Sequence, residues 1–273
     1  MKHATLLLTL AISALSTSLV HGQERDNSIE EVTIIGSREQ ALRLAGSAHY
    51  IGSDKLAQFA YSDIQRIARE VPGVSIQIED GYGLRPNIGI RGVATERSGR
   101  ITLLEDNVLI APAPYSAPSA YYFPTVGRLS AIEVVKGPAA ITQGPYTIGG
   151  ALNMVSTPIP TEMSGNIITE AGEDSTYRVH ATYGGRSESG FGYLLETHQW
   201  LSDGFQDIDR SNNNTGLDVE DYTIKLSYAP SNSAHGIELK LQSTEQSSNQ
   251  SYLGLTDRDF DNNAFRRYGL SAR

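Results

Sequence analysis

Apolar and polar residues alternate with two different grammars along this chain, and the change falls near residue 160. In the first half, Ile64, Ile67, Ala68 and Val71 form one helical stripe. Ser62 and Gln65 offer an S-x-x-Q capping box ahead of it, and Pro72-Gly73 stops it, which predicts a helix over Ser62–Val71. Val74-Ser75-Ile76-Gln77-Ile78 then alternates as a strand. Ile101–Leu104 and Ile132–Val135 are short apolar runs that read as buried strands. Mixed helix and strand make 40–156 a compact α/β unit.

Past Thr157-Pro158-Ile159-Pro160 only period two survives. Tyr177, Val179, Ala181 and Tyr183 alternate with polar residues, as do Tyr222, Ile224, Leu226 and Tyr228. Ile237, Leu239 and Leu241 begin a further strand. Phe191, Tyr193 and Leu195 start another, its symmetry broken by Leu194; Ile167, Thr169 and Ala171 make a weaker one. Gly184–Gly190 and Ala229–Gly236 are short turns, whereas Ser202–Asp218 is a long polar loop. Short turns on one rim and long loops on the other, with strands of about ten residues, point to a transmembrane barrel. A soluble β-sandwich also alternates and is the competing reading. It requires the apolar face to be covered.

The start of the chain bears on compartment. Lys2 and His3 precede an apolar stretch, Ala4–Val20, with a small residue at Gly22, the pattern of a secretory signal over 1–22. A formal charge of −9 argues against nucleic acid as a partner. The sequence contains no Cys, so neither a disulfide framework nor a thiolate metal site is available.

Catalytic chemistry is hard to assemble from what remains. Glu105-Asp106 reads as a solvated corner at a strand end, and Asp203, Asp207 and Asp209 as loop solubility rather than a calcium site. The six His lack metal-ligand spacing. Gly137–Gly150 is glycine-rich without the Gly-Lys-Ser/Thr ending of a phosphate loop; its glycines suit positive φ and close backbone contact. Arg97 and Arg100 share a turn between two strands, where Arg forks suit carboxylates and chelated anions, or simply solvent. Glu31-Val32-Thr33-Ile34-Ile35 is a lone β-prone segment. It is either the first strand of the domain or a peptide that adds to a partner's sheet edge. A binding and transport role, not an enzyme, is the expectation.

Arg91-Gly92, the Leu103-Leu104-Glu105-Asp106 run, Ile132-Glu133-Val134-Val135-Lys136-Gly137-Pro138 and Gly149-Gly150-Ala151-Leu152-Asn153-Met154-Val155 resemble, in order and spacing, the plug of TonB-dependent outer-membrane receptors. The resemblance extends over 29–273. It implies a signal peptide at 1–22, a periplasmic tail with a TonB box at 23–39, a plug at 40–158 and about five strands of an incomplete barrel at 159–273. Glu31, Val32, Thr33, Ile34 and Ile35 then look like the TonB box, the segment that pairs with TonB. Asn87–Gly92, Arg97-Ser98-Gly99-Arg100, Ala113-Pro114-Tyr115, Tyr252–Asp257 and Phe265–Tyr268 look closest to the ferric-dicitrate receptor type. That type implies Arg97, Arg100, Tyr115 and Ser116 as plug-apex residues facing an Fe(III) chelate, and no resident cofactor. Tyr115-Ser116-Ala117-Pro118 departs from the Tyr-Gly-Gln-Pro usual there. Arg91 and Lys136 are implied as plug–barrel contacts. The short stretch ahead of Glu30 leaves no room for a signalling domain, and the chain is expected to be an N-terminal portion.

Overall fold

A computed structural model of the chain describes residues 33–44, 47–60, 62–110, 122–206, 214–231, 233 and 235–249. Among the described residues, three short α-helices, α1 (Arg38–Ala41), α2 (Ser53–Phe59) and α3 (Ile64–Ala68), lie in the first half. Helix α3 buries Ile64, Ile67 and Ala68, as its stripe requires, and Gln65 beside them. Its cap is one residue later than the sequence suggests: the Asp63 carboxylate, not the Ser62 hydroxyl, accepts from Gln65 N at 2.7 Å. An Asp at the N-cap satisfies an otherwise orphaned N–H and favours the positive helix end.

The helices flank a five-stranded sheet in the order β1-β6-β7-β4-β5. Its strands are β1 (Ser47–Ile51), β4 (Thr102–Glu105), β5 (Val108–Leu109), β6 (Leu129–Lys136) and β7 (Gly150–Ser156). All its pairings are antiparallel except β4 with β7. A hairpin of β2 (Val74–Gln77) and β3 (Asn87–Ile90) stands beside it. Ile64, Ile88, Ile90, Ile101, Ile132 and Leu152 form the core. Gly150 illustrates why the corner before β7 is glycine-rich. Its φ is +150°, and an added Cβ would collide with the Val135 carbonyl oxygen.

The second sheet is a plain meander, ordered β12-β11-β10-β9-β8, with every pair antiparallel. Its strands are β8 (Ser164–Gly172), β9 (Thr176–Arg186), β10 (Phe191–Ser202), β11 (Leu217–Tyr228) and β12 (Ile237–Ser248). These lengths match the ~9–11 residues of a tilted spanning strand or exceed them slightly. Strand β11 carries the decisive pattern. Asp221, Thr223, Lys225 and Ser227 are buried, whereas Tyr222, Ile224, Leu226 and Tyr228 are 37–51% exposed. Polar residues point inward and apolar residues outward, the reverse of a soluble sandwich. Leu194 is an exception to that rule, an apolar residue on the inward face of β10 with no exposed surface.

The rims differ in one respect from expectation. Asp203 N donates to Asp174 O at 2.8 Å, so the short β8–β9 turn shares a rim with the long β10–β11 loop. Loops on that rim are therefore not uniformly long. Among the described residues no helix is long and apolar enough to cross a membrane, which leaves the strands to be considered.

Candidate functional site

The α/β unit sits against the polar face of the meander through a buried cluster of charges. Arg128 precedes β6 in a 3-10 turn and has no exposed surface. Its Nη1 donates to Glu105 Oε1 at 2.6 Å, its Nε to Asp221 Oδ2 on β11 at 3.0 Å, and its Nη2 to the Tyr122 hydroxyl at 2.9 Å. From β12, Lys240 Nζ donates to Glu105 Oε1 at 2.5 Å and to Asp106 Oδ2 at 2.7 Å. Gln242 Nε2 reaches the Tyr122 hydroxyl at 2.6 Å. Thr125 and Thr244 both donate to Asp221 Oδ2. A second tie runs from Thr157 to Glu196 on β10 at 2.6 Å.

Glu105-Asp106 is thus no solvated corner, and that expectation is corrected. Burial opposes ionisation of both carboxyls. The Arg128 and Lys240 cations outweigh it for Glu105, and Lys225 and Lys240 for Asp106, holding both below the usual carboxylate range. Burial likewise opposes the Arg128 charge, yet Glu105 raises its affinity for the proton above the ordinary arginine value. Burial pushes the Tyr122 phenol up, so it stays a neutral donor to Glu105. The arrangement can hold two layers in register; it offers no open nucleophile or base. Adjacent positions depend on close approach. An added Cβ on Gly127 would collide with the His198 imidazole on β10.

Toward the long-loop rim the same seam opens into a cavity of about 290 Å³. Plug residues Tyr82, Arg85 and Phe123 and strand residues Trp200, Val219 and Gln246 line it. Tyr82 meets Trp200 edge-on at 5.5 Å and Phe205 at 5.7 Å.

The residues picked out from sequence fall in several places. Arg97 sits in the 3-10 turn Glu96–Ser98 at φ 50°, and its guanidinium pairs with Glu79 at 2.6 Å. Arg100 is exposed just past the same turn. Tyr115 and Ser116 lie outside the described residues, as do Asp207 and Asp209. Arg91 and Lys136 are neighbours. Arg91 lies over Gly137, and Lys136 Nζ donates to Pro72 O at 2.8 Å. Burial first, and the Arg91 charge second, lower the Lys136 pKa. Among the described residues neither makes an ion pair. Of the β-prone segment, Glu31 and Val32 lie outside the described residues. Thr33, Ile34 and Ile35 form no strand, and Ile35 is buried against Ala41, Leu104 and Val135. The ties formed by Arg128, Lys240 and Asp221 were missed because each is a single charged residue with partners far away in sequence.

A small α/β domain bonded to the polar face of an antiparallel meander, whose other face is apolar and bare, defines a plug seated on barrel strands. Residues 40–151 match the TonB-dependent Receptor Plug Domain, and this part of the chain is a plug of that family. Similar curated proteins include the vitamin B12 transporter BtuB of Photobacterium profundum. It is 25% identical over 207 residues, covering 75% of this chain and 33% of that protein. The ferric enterobactin receptor of Pseudomonas aeruginosa is 26% identical, over 67% of this chain and 26% of the receptor. Among solved structures, the ferric citrate transporter FecA in the unliganded form aligns with a TM-score of 0.66 at 23% identity, over 78% of this chain and 33% of that one. The chain therefore spans about a third of the length of the relatives it matches.

Proposed function

We propose that this chain belongs to an outer-membrane receptor that imports an Fe(III) chelate, ferric citrate or a siderophore, using energy delivered by TonB. The carrying observation is the bare apolar face of β11 opposite an inward face that is bonded to the plug. Such a sheet is stable where lipid meets the outer face and a plugged lumen the inner one. A soluble β-sandwich would need a second sheet over that apolar face, and among the described residues nothing covers it. On this reading 1–22 is the export signal, 23–39 a periplasmic tail, 40–158 the plug and 159–273 barrel strands. The long-loop rim faces outward from the cell.

Glu31–Ile35 serves as the strand that TonB pairs with, gaining affinity from main-chain hydrogen bonds. Arg97, Arg100, Tyr115 and Ser116 meet the chelate at the plug apex. Because Glu79 occupies the Arg97 guanidinium, Arg100 offers the more available cation. Arg91 and Lys136, two close cations near the plug margin, are suited to carboxylates on the barrel wall. Relatives named for ferric citrate and for vitamin B12 leave two ligand classes to separate. Growth of cells with and without the intact gene, on ferric citrate or on a corrinoid as the limiting nutrient, separates them. Gene-dependent growth on ferric citrate supports the chelate reading. Dependence confined to the corrinoid overturns it and leaves the receptor class standing.

A further inference from the structure

Segment Thr33–Gly36 has no regular secondary structure, yet its backbone closes around one carboxylate. Glu133, in the middle of β6, has no exposed surface. Its Oε2 accepts from Ile34 N at 2.8 Å, and its Oε1 from Ile35 N at 3.0 Å and Gly36 N at 2.7 Å. Asn153 Nδ2 on β7 completes the set at 2.9 Å. Gly36, at φ +74°, bends the chain so that three successive N–H groups converge on the one side chain.

A buried carboxylate that lost these donors would stand unpaired away from water, at a high free-energy cost. Segment and carboxylate therefore depend on each other. The position of Glu133 matters as much as its partners. β6 pairs with β1 on one side and β7 on the other, so load applied at residues 34–36 enters a central strand of the plug sheet. The bonding also continues toward the barrel strands. Asn153 Oδ1 accepts from Asn107 N at 2.9 Å, and the preceding residue, Asp106, accepts from Lys240 of β12.

We propose that Glu133 is the positioning residue that keeps the segment behind Glu31–Val32 docked, and so sets how much of the TonB-pairing strand is presented. Docking rests on the geometry above; its consequence for TonB rests on the function proposed for residues 31–35. The sequence has no Cys, so Thr33→Cys introduces a unique thiol into it. A polar maleimide is applied to outer-membrane fragments carrying the full receptor, with and without E133Q. The amide keeps the size of the side chain but turns an NH2 toward N–H groups. Labelling of T33C should rise about tenfold or more in the E133Q background. A thiol at Ala68, buried in α3, should stay protected in both.

Unchanged T33C labelling overturns the proposal. Equal gains at both thiols also overturn it, because Glu133 would then support the whole plug. Capture of the same fragments by the periplasmic domain of TonB separates the two readings. Greater T33C exposure without altered capture leaves the docking role intact and removes the TonB role from residues 31–35. Greater exposure with greater capture supports both.

Discussion

Arg128 joins the plug to the strands more directly than any residue singled out by motif. Its guanidinium is wholly buried and touches Glu105 of the plug, Asp221 of β11 and the Tyr122 hydroxyl. A planar fork of this kind presents its donors in fixed directions, here to two carboxylates and a phenol. Removing one member of a buried ion cluster costs about 3–5 kcal/mol, because the partners stay buried with uncompensated charge. Arg128→Ala should therefore loosen the plug far more than Arg100→Ala, whose side chain is exposed. Limited proteolysis of the detergent-extracted receptor in rising urea measures this. Plug cleavage in R128A should begin at clearly lower urea than in R100A, and coincident onsets would show that the cluster contributes nothing net.

Among the elements, β11 was the most legible and the corner between β4 and β5 the least. Tyr222, Ile224, Leu226 and Tyr228 alternate with polar residues, and period two is a property of the strand itself, so sequence carries it whole. The pattern does not say which face turns inward; the plug residues bonded to Asp221 do. Glu105-Asp106 reads as solvated because its partners lie 23 positions away at Arg128 and 135 at Lys240. Glu133 was hidden for the same reason, its backbone donors being 97–99 positions distant. Helix α3 shows a smaller failure: Ser62 reads as the cap, and the neighbouring Asp63 carboxylate takes that place. The inverted faces of β11 make a prediction of their own. A cation on the bare face at mid-strand costs about 2–4 kcal/mol in a bilayer, whereas polar changes toward the lumen are tolerated. Ile224→Arg should reduce assembly into the outer membrane, and Thr223→Ser should not. Pulse-chase recovery in the membrane fraction is the readout, and equal recovery would mean that the outer face does not meet lipid.

At the scale of the molecule the two sheets are unequal partners. The plug sheet has its own buried core of Ile, Leu and Val and needs no membrane to satisfy it. The meander has no core of its own. Its inward face is largely polar, and the apolar cluster of Trp200, Leu217 and Val219 near one rim is completed by Tyr82 of the plug. Its outward face is bare, and its described edges, β8 and β12, pair with nothing further. Closure of a strand barrel takes at least about eight strands, and each unpaired backbone group in hydrocarbon costs several kcal/mol. The five described strands against a plug therefore leave two edges that lipid cannot satisfy. The ties to the plug depend on that same closure, since Asp221 and Lys240 reach Arg128, Glu105 and Asp106 only while β11 and β12 are held in place. A 273-residue polypeptide of this sequence, expressed by itself, should accordingly show no shift between unheated and boiled samples on denaturing gels. Its strand half should be digested before its plug half. A compact, heat-sensitive band that keeps both halves protected would mean that these strands reach closure unaided, and the dependence of the seam on further strands would have to be abandoned.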